Sequence, residues 1–512
     1  MRTFVVYLFV ITLIFINNGC GPTSNEPTIT VSIDGDISYQ TIDNFGASDC
    51  WTIQHVGLWN DTARNFAAKT LFSKDFDADG NPEGIGLSLW RFNIGAGSAE
   101  QGEESNIPDK YRRVESFMNA DGTYDFNKQA GQVWFLQKAK EYNVEQYVAF
   151  VNSPPIYLTK NGKANSSVRN EVNMEASKFP LFADYLTEVL KGLKQKTSVA
   201  FDYISPVVEP QWVWMGGQEG IHMKNNEFSN IVRLLDKSIQ TKSLQTKILI
   251  PEAGSYDYLF NNTASECGNQ ISEFWGDGQN QIGNLPTVAP IVTAHAYFLN
   301  WPLKLMLAKR DSVNKHLSKH SNLKFWQTEY CIMGGNEGIP SVPRDTSINL
   351  GLYVARQMHL DIVKGNVSAW HWWLAVSHYN YNDGLLVANE NTKRVTDTKL
   401  TWAFGNFSRF VRPGAVRVES ALSNNPTIEN QTKALMLSAY KDLKNKKITI
   451  VAINMSDKEV PLEFKISNLK IKKLTAFETS SANNLKKTDT FSVGDEYIIP
   501  KKSVTTFYGD IQ

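Results

Sequence analysis

Short apolar runs alternate with longer amphipathic stretches through most of this chain. Eight runs have strand length and flanking turn residues: NFGASDC (44–50), LSLWRFNIG (87–95), QYVAFVNSPP (146–155), DYISPVVEP (202–210), KILIPEAG (247–254), PIVTAHAYF (290–298), KFWQTEYC (324–331) and SAWHWWLAV (368–376). Between them, stretches such as KQAGQVWFLQKAKEY, LFADYLTEVLKGLKQ and NIVRLLDKSIQ place apolar residues at helical spacing, i, i+3, i+4 and i+7. Eight strand–helix repeats predict parallel strands joined by crossover helices. Closed on itself, that arrangement is an α/β fold of the (β/α)8 TIM-barrel type, here with room for loop insertions beyond the ~250 residues usual for the barrel.

From about residue 412 the period changes to two. ALMLSAYK, KKITIVAINMS, VPLEFKI, KKLTAFETS, EYIIP and SVTTFYG are separated by turn residues, which predicts an attached antiparallel β-sandwich. TITVSIDGDISYQTI, ahead of the barrel, has the same strand character and is expected to join it. The organisation expected is therefore N-terminal strand or strands at 28–43, a barrel at 44–405 and a sandwich at 406–512.

The first residues look like a targeting segment. Arg2 precedes an apolar run from Phe4 to Ile16, too short to span a bilayer. NNGCG follows, and the pattern resembles a bacterial lipoprotein signal at 1–20 in which Cys20 is lipidated. Asn17 stands where such signals usually carry an aliphatic residue, and an ordinary secretory signal is the alternative. Residues 21–27 would be a short tether. Either way the protein is expected to be exported, touching a membrane only through a lipid anchor.

Composition narrows the chemistry. The chain has 512 residues, 42% hydrophobic and 20% charged, a globular balance. Its formal net charge is zero, which removes the basic surface that nucleic-acid binding needs. Cys50, Cys267 and Cys331 show no metal-ligand spacing and allow at most one disulfide. No cofactor and no metal are expected. DFDADG (75–80) matches the first half of an EF-hand calcium loop, but Gly86 stands where the bidentate Glu belongs, so it reads as an Asp/Gly-rich turn.

In a (β/α)8 barrel the site lies at the C-terminal ends of the strands. Those ends carry Asp49 and Trp51, Arg91 and Asn93, Asn152 and Ser153, Glu209, Glu252, His295 and Tyr297, Glu329, and Trp370 and Trp372. Polar and aromatic groups converging on one rim suit a sugar site. Glu209 and Glu329 end strands four and seven, which face each other across the barrel. Glycoside hydrolysis needs such a pair: one carboxylic acid protonates the leaving oxygen, and in retaining enzymes the other attacks the anomeric carbon, the two carboxyl groups standing ~5–5.5 Å apart.

Taken in order, YQTIDNFGAS, SPVVEPQW, HAYF, WQTEYC and FGNFSRFVRPGAVRV resemble glycoside hydrolase family 30 over nearly the whole mature chain. The resemblance implies Glu209 as acid/base and Glu329 as nucleophile of a retaining enzyme. It implies that Arg91 and Tyr297 contact Glu329, and that Trp372 or Trp370 forms the floor under the sugar. Asn152, His295, Asp49 and Trp51 are implied as further substrate contacts. NSPPIYLTKNGKANSS (152–167) and WMGGQEG (214–220) look most like the endo-β-1,6-galactanases, which implies arabinogalactan-type side chains as the polysaccharide substrate. β-1,6-Glucan, xylan and β-glucosides stay open; a basic pocket near the late strands, as a glucuronic acid-dependent xylanase would want, is not visible in the sequence. Val208 departs from the family's kin, which usually place Asn before the acid/base to contact the sugar 2-hydroxyl. That departure motivates a rival reading, a barrel that binds glycan without cutting it.

Overall fold

The structure is a computed structural model that describes residues 26–261, 265–334 and 338–512. The signal segment, Cys20 and most of the tether lie outside the described residues. All eight expected barrel strands form, in order Asn44–Ser48, Leu89–Ile94, Gln146–Val151, Tyr203–Ser205, Lys247–Ala253, Val288–His295, Lys324–Glu329 and Ala369–Ser377. Each pairs in parallel with the next, and Ala369–Ser377 pairs with both the seventh and the first, which closes the barrel. Every residue of the second and eighth strands is buried. This is the signature of parallel strands covered on both faces, and it explains why their sequences are apolar runs instead of alternating ones. Beyond the eighth strand, Gly384–Asn389 adds a further parallel strand and turns back as Arg394–Thr396, a hairpin the apolar pattern does not announce.

The helices cover the outside. Asp61–Phe72 begins where the Asn60 side chain accepts from the Ala63 N–H, capping one orphan donor. Phe179–Thr197 and Asn225–Thr241 pack against each other with their apolar faces inward.

The remaining strands form the expected, mostly antiparallel β-domain, as one continuous sheet of nine. Ile29–Thr41 runs antiparallel to Val416–Leu422 and parallel to Val460–Ser467; every other pair in this sheet is antiparallel. The sheet rolls over a single apolar core until its two edges meet: Phe491 on one edge strand lies 5.0 Å from Tyr497 on the other, and Phe464 lies 4.8 Å from Phe507. Strong twist in a wide antiparallel sheet favours this curling. The rolled sheet is fastened to the barrel by Asn406, whose amide donates to the Phe477 carbonyl and the Thr506 hydroxyl, and by Phe410, whose ring lies tilted against Phe477 at 4.6 Å.

Asp77 accepts the N–H groups of Asp79 and Asn81, and Asn81 in turn accepts from Lys487 N–H, so DFDADG is a turn that docks onto the rolled sheet. Cys50, Cys267 and Cys331 are free and buried, so the disulfide the sequence allowed does not form among the described residues.

Candidate active site

The C-terminal mouth of the barrel opens into a cavity of about 900 Å3. Glu209 and Glu329 both line it, with Trp51, Tyr297 and Trp373. An oxygen of Glu209, a nitrogen of His295 and an oxygen of Glu329 all lie within 4.8 Å of one another. The fourth and seventh strands therefore bring the two carboxylates face to face.

Each carboxylate is held by its own set of donors. Glu329 Oε1 accepts from the Tyr297 hydroxyl at 2.9 Å, and Glu329 Oε2 accepts from Arg91 Nη1 at 2.9 Å. Arg91 is fully buried; it also donates to Ser48 and to Glu252, and its guanidinium lies 3.9 Å over the Phe150 ring. His295 Nδ1 sits 2.7 Å from Glu209 Oε1 and 3.6 Å from Glu329 Oε1. The Glu209 backbone is pinned in the left-handed region at φ 50°. Its N–H donates to the Glu252 carbonyl, and its own carbonyl accepts from Trp212 N–H and Trp214 Nε1. A non-glycine residue in that region persists only where its surroundings over-determine it, and such residues cluster at functional sites.

Electrostatics sort these groups. Burial opposes charge on His295, but Glu329 and Glu209, with Glu252 behind, overcome it and push its pKa up to about 10. Burial would raise Glu252, yet Arg91 and His295 hold it at about 2. Burial pushes Glu329 up, against the pull of His295 and Arg91. Burial also drives Asp49 up to about 8 and His371 down to about 3, so both are neutral near pH 7. Glu209, His295 and Glu329 each turn one ligating atom toward the others, with the imidazole between the two carboxylates.

The structure distributes the sequence-derived residues over two levels. Trp51, Glu209, Tyr297 and Glu329 are on the cavity wall. Arg91 and His295 lie fully buried just beneath it and reach the carboxylates from below. Asp49, expected at the sugar, is fully buried and accepts from Asn93 N–H and Gln132 instead. Asn152 is buried at the end of the third strand, off the wall. Trp370 and Trp372, expected as the floor, are also fully buried and point away: Trp370 donates to Asp361 and Trp372 to the Asp383 carbonyl. Their neighbour Trp373 takes the wall position. Side chains alternate across a strand, so one step of register moves a residue from one face to the other. Four consecutive large residues, WHWW, leave that parity unreadable in sequence. Val208 is 4% exposed and does not line the cavity.

Other wall residues escaped the sequence. Trp212, Trp214, Phe298 and Tyr381 come from loops, and Arg112 and Arg169 come from the insertions after the second and third strands. Arg112 lies 4.2 Å over the Trp51 ring. Nothing in local spacing marks these positions, because loops follow no period.

A parallel barrel joined to a rolled β-sheet, with paired carboxylates at its mouth, is the build of a glycoside hydrolase. A sequence profile of O-glycosyl hydrolase family 30 matches residues 28–387, and the chain belongs to that family. Among characterised relatives it is similar to the endo-β-1,6-galactanase of Hypocrea rufa, 22% identical over 396 residues, 73% of this chain and 74% of that one. It is also similar to glucuronoxylanase XynC of Bacillus subtilis, 30% identical over 343 residues, 64% of this chain and 66% of that one. Among solved structures, a conserved exported protein from Bacteroides fragilis matches with TM-score 0.88 at 34% identity, covering 94% of this chain and all of that one.

Proposed function

We propose that this glycoside hydrolase is a retaining, endo-acting enzyme in which Glu329 is the nucleophile and Glu209 the acid/base, cleaving β-1,6-galactan side chains. The observation that carries the mechanism is the closeness of the two carboxylates, within 4.8 Å oxygen to oxygen. Inverting enzymes hold the pair ~6.5–9.5 Å apart to admit a water between them, and retaining ones ~5–5.5 Å.

Charge balance supports the division of labour. Arg91 and protonated His295 supply two positive charges, and ionised Glu252 and Glu329 match them. As general acid, Glu209 carries the proton that the first step needs. His295 Nδ1 lies 2.7 Å from Glu209 Oε1; with Nδ1 protonated that oxygen accepts, which leaves Oε2 for the acidic proton. In the first step a Glu329 oxygen bonds to the anomeric carbon, the glycosidic bond breaks, and the Glu209 proton passes to the leaving oxygen. In the second, water gives a proton to Glu209 and attacks the anomeric carbon, releasing Glu329 as carboxylate. Arg91 and the Tyr297 hydroxyl hold both Glu329 oxygens, so the nucleophile is positioned before substrate arrives.

For the substrate, the galactanase likeness supports β-1,6-galactan. The two stretches that resemble galactanases are joined here: Ser166 N–H donates to the Trp214 carbonyl and Gly220 N–H to the Ala164 carbonyl, building one side of the cavity. A second reading, xylan bearing uronic acid, is favoured by the glucuronoxylanase likeness together with Arg112 and Arg169 on the wall. These arginines come from the early loops and not from the late strands.

Incubation with β-1,6-galactan and with glucuronoxylan, followed by proton NMR of the first product, tests both levels. Release of β-anomeric galacto-oligosaccharides is expected. A first product of α configuration would refute the retaining mechanism, and release from glucuronoxylan alone would replace the substrate. Export through a lipid anchor at Cys20 is part of the same proposal, supported by the signal-like start and by the likeness to an exported protein.

A further inference from the structure

We infer that Glu252, on the fifth strand, is a positioning residue for the catalytic pair: its carboxylate joins Arg91 to His295 beneath Glu329 and Glu209 and fixes His295 as a doubly protonated donor to Glu209. The inference rests on the acid/base and nucleophile assignment above.

Glu252 is fully buried, off the cavity wall, and touches no substrate space. Four donors from four different strands or strand ends converge on it. Arg91 Nη2 at 3.0 Å, His295 Nε2 at 3.1 Å and the Thr328 hydroxyl at 3.0 Å meet Oε2, and the Ser205 hydroxyl at 2.8 Å meets Oε1. Its backbone is equally committed: the N–H donates to Thr293 Oγ1, and the carbonyl accepts from Glu209 N–H. Glu252, like Glu209, holds a positive φ, 53°. Two consecutive barrel strands therefore end in left-handed glutamates that are hydrogen-bonded to each other.

The protonation of His295 follows from this geometry. An ionised carboxylate only accepts, so His295 Nε2 must carry hydrogen to bond Glu252. Nδ1 lies 2.7 Å from Glu209 Oε1 and 3.6 Å from Glu329 Oε1, and with Glu329 ionised only an N–H at Nδ1 faces that carboxylate without setting lone pair against lone pair. A neutral imidazole has one N–H, so the ring is an imidazolium. The titratable and charged groups facing it are Arg91, Glu209, Glu252, Tyr297, Glu329 and, from the eighth strand, the neutral His371. When Glu209 hands its proton to the leaving oxygen, negative charge grows on Glu209 beside this fixed cation, which stabilises the carboxylate as it forms. That help matters most when the leaving group is a poor one that needs the proton.

Glu252→Gln keeps the shape and removes the charge. Selective 15N-histidine NMR on the full mature chain should show both His295 nitrogens protonated through pH 8 in the wild type. In the variant, His295 should lose one proton below pH 8. On whichever of β-1,6-galactan and glucuronoxylan the wild type hydrolyses, kcat/KM should fall about 100-fold or more, within the range general acid catalysis supplies. On the matching 2,4-dinitrophenyl glycoside, whose leaving group needs little protonation, it should fall less than about tenfold. Equal losses on both substrates, or a His295 that stays doubly protonated in the variant, would overturn the inference and assign Glu252 a purely structural role. A wild type with singly protonated His295 at pH 7 would overturn it even if the variant fails to fold. Glu209→Gln, measured alongside, tests the acid/base assignment separately: full activity there would sink that assignment whatever Glu252 does.

Discussion

Replacing Arg91 with Met removes a charge while keeping a long side chain against the Phe150 ring. In the native site Arg91 Nη1 bonds Glu329 Oε2 at 2.9 Å with no solvent contact. A hydrogen bond to a charged group contributes about 1.5–3 kcal/mol. One pKa unit corresponds to about 1.36 kcal/mol, so losing this bond should raise the Glu329 pKa by roughly 1–2 units. Burial already pushes that group up, and Arg91 is one of the two cations pulling it down. The sign is therefore fixed: Glu329 must be ionised to attack, and without Arg91 it ionises at higher pH. The acid limb of the kcat/KM profile should move up by roughly 1–2 pH units, so activity on the acid side drops about 10–100-fold. Breaking a buried pair also costs about 3–5 kcal/mol of stability, which thermal unfolding would register. Arg91→Lys should fall between, since one ammonium cannot reproduce the fork that serves both Glu252 and Glu329. An acid limb that stays in place or moves down in Arg91→Met, in a folded variant, would refute the reasoning.

Glu329→Gln should abolish turnover on every substrate, whereas Glu209→Ala should retain activity on activated aryl glycosides and regain it with azide, forming the β-glycosyl azide; azide rescue of the Glu329 variant instead would reverse the two roles. Trp373→Ala should raise KM by roughly tenfold, through loss of about 1–2 kcal/mol of ring contact on the cavity wall. Trp372→Ala should leave KM near wild type while costing about 3–5 kcal/mol of stability; the opposite pattern would restore Trp372 as the sugar floor. Asp49, with a folded pKa of about 8, contributes stability that is complete below the ordinary carboxyl range and is lost as pH rises toward 8. Asp49→Asn should flatten that decline, measured as Tm against pH, by up to about 1.4 kcal/mol per pH unit. Val208→Asn should lower Tm without increasing activity, because it buries an amide in the apolar core at a cost of about 1–3 kcal/mol; a gain in kcat/KM would show that position 208 does reach the sugar.

The barrel was legible because each strand had to be apolar on both faces and each helix on one, and these requirements leave short apolar runs alternating with stretches of three-to-four-residue period. The rolled sheet was legible as strands but not as one sheet, since pairing between residues 29–41 and 460–467 joins segments more than 400 positions apart. Glu209 and Glu329 stood out because each ends a strand within its own short motif, with Arg91, His295 and Tyr297 near enough to strand ends to be noticed. What the sequence could not show was depth and parity. Whether Asp49 or Arg91 meets the sugar or lies beneath it depends on how barrel closure staggers the strands, and the choice of Trp373 over Trp372 depends on a one-residue register. Glu252 is the clearest case. Its position at a strand end was visible from residue 252 alone, but its meeting with Arg91, Ser205, His295 and Thr328 exists only once five strands have closed around it.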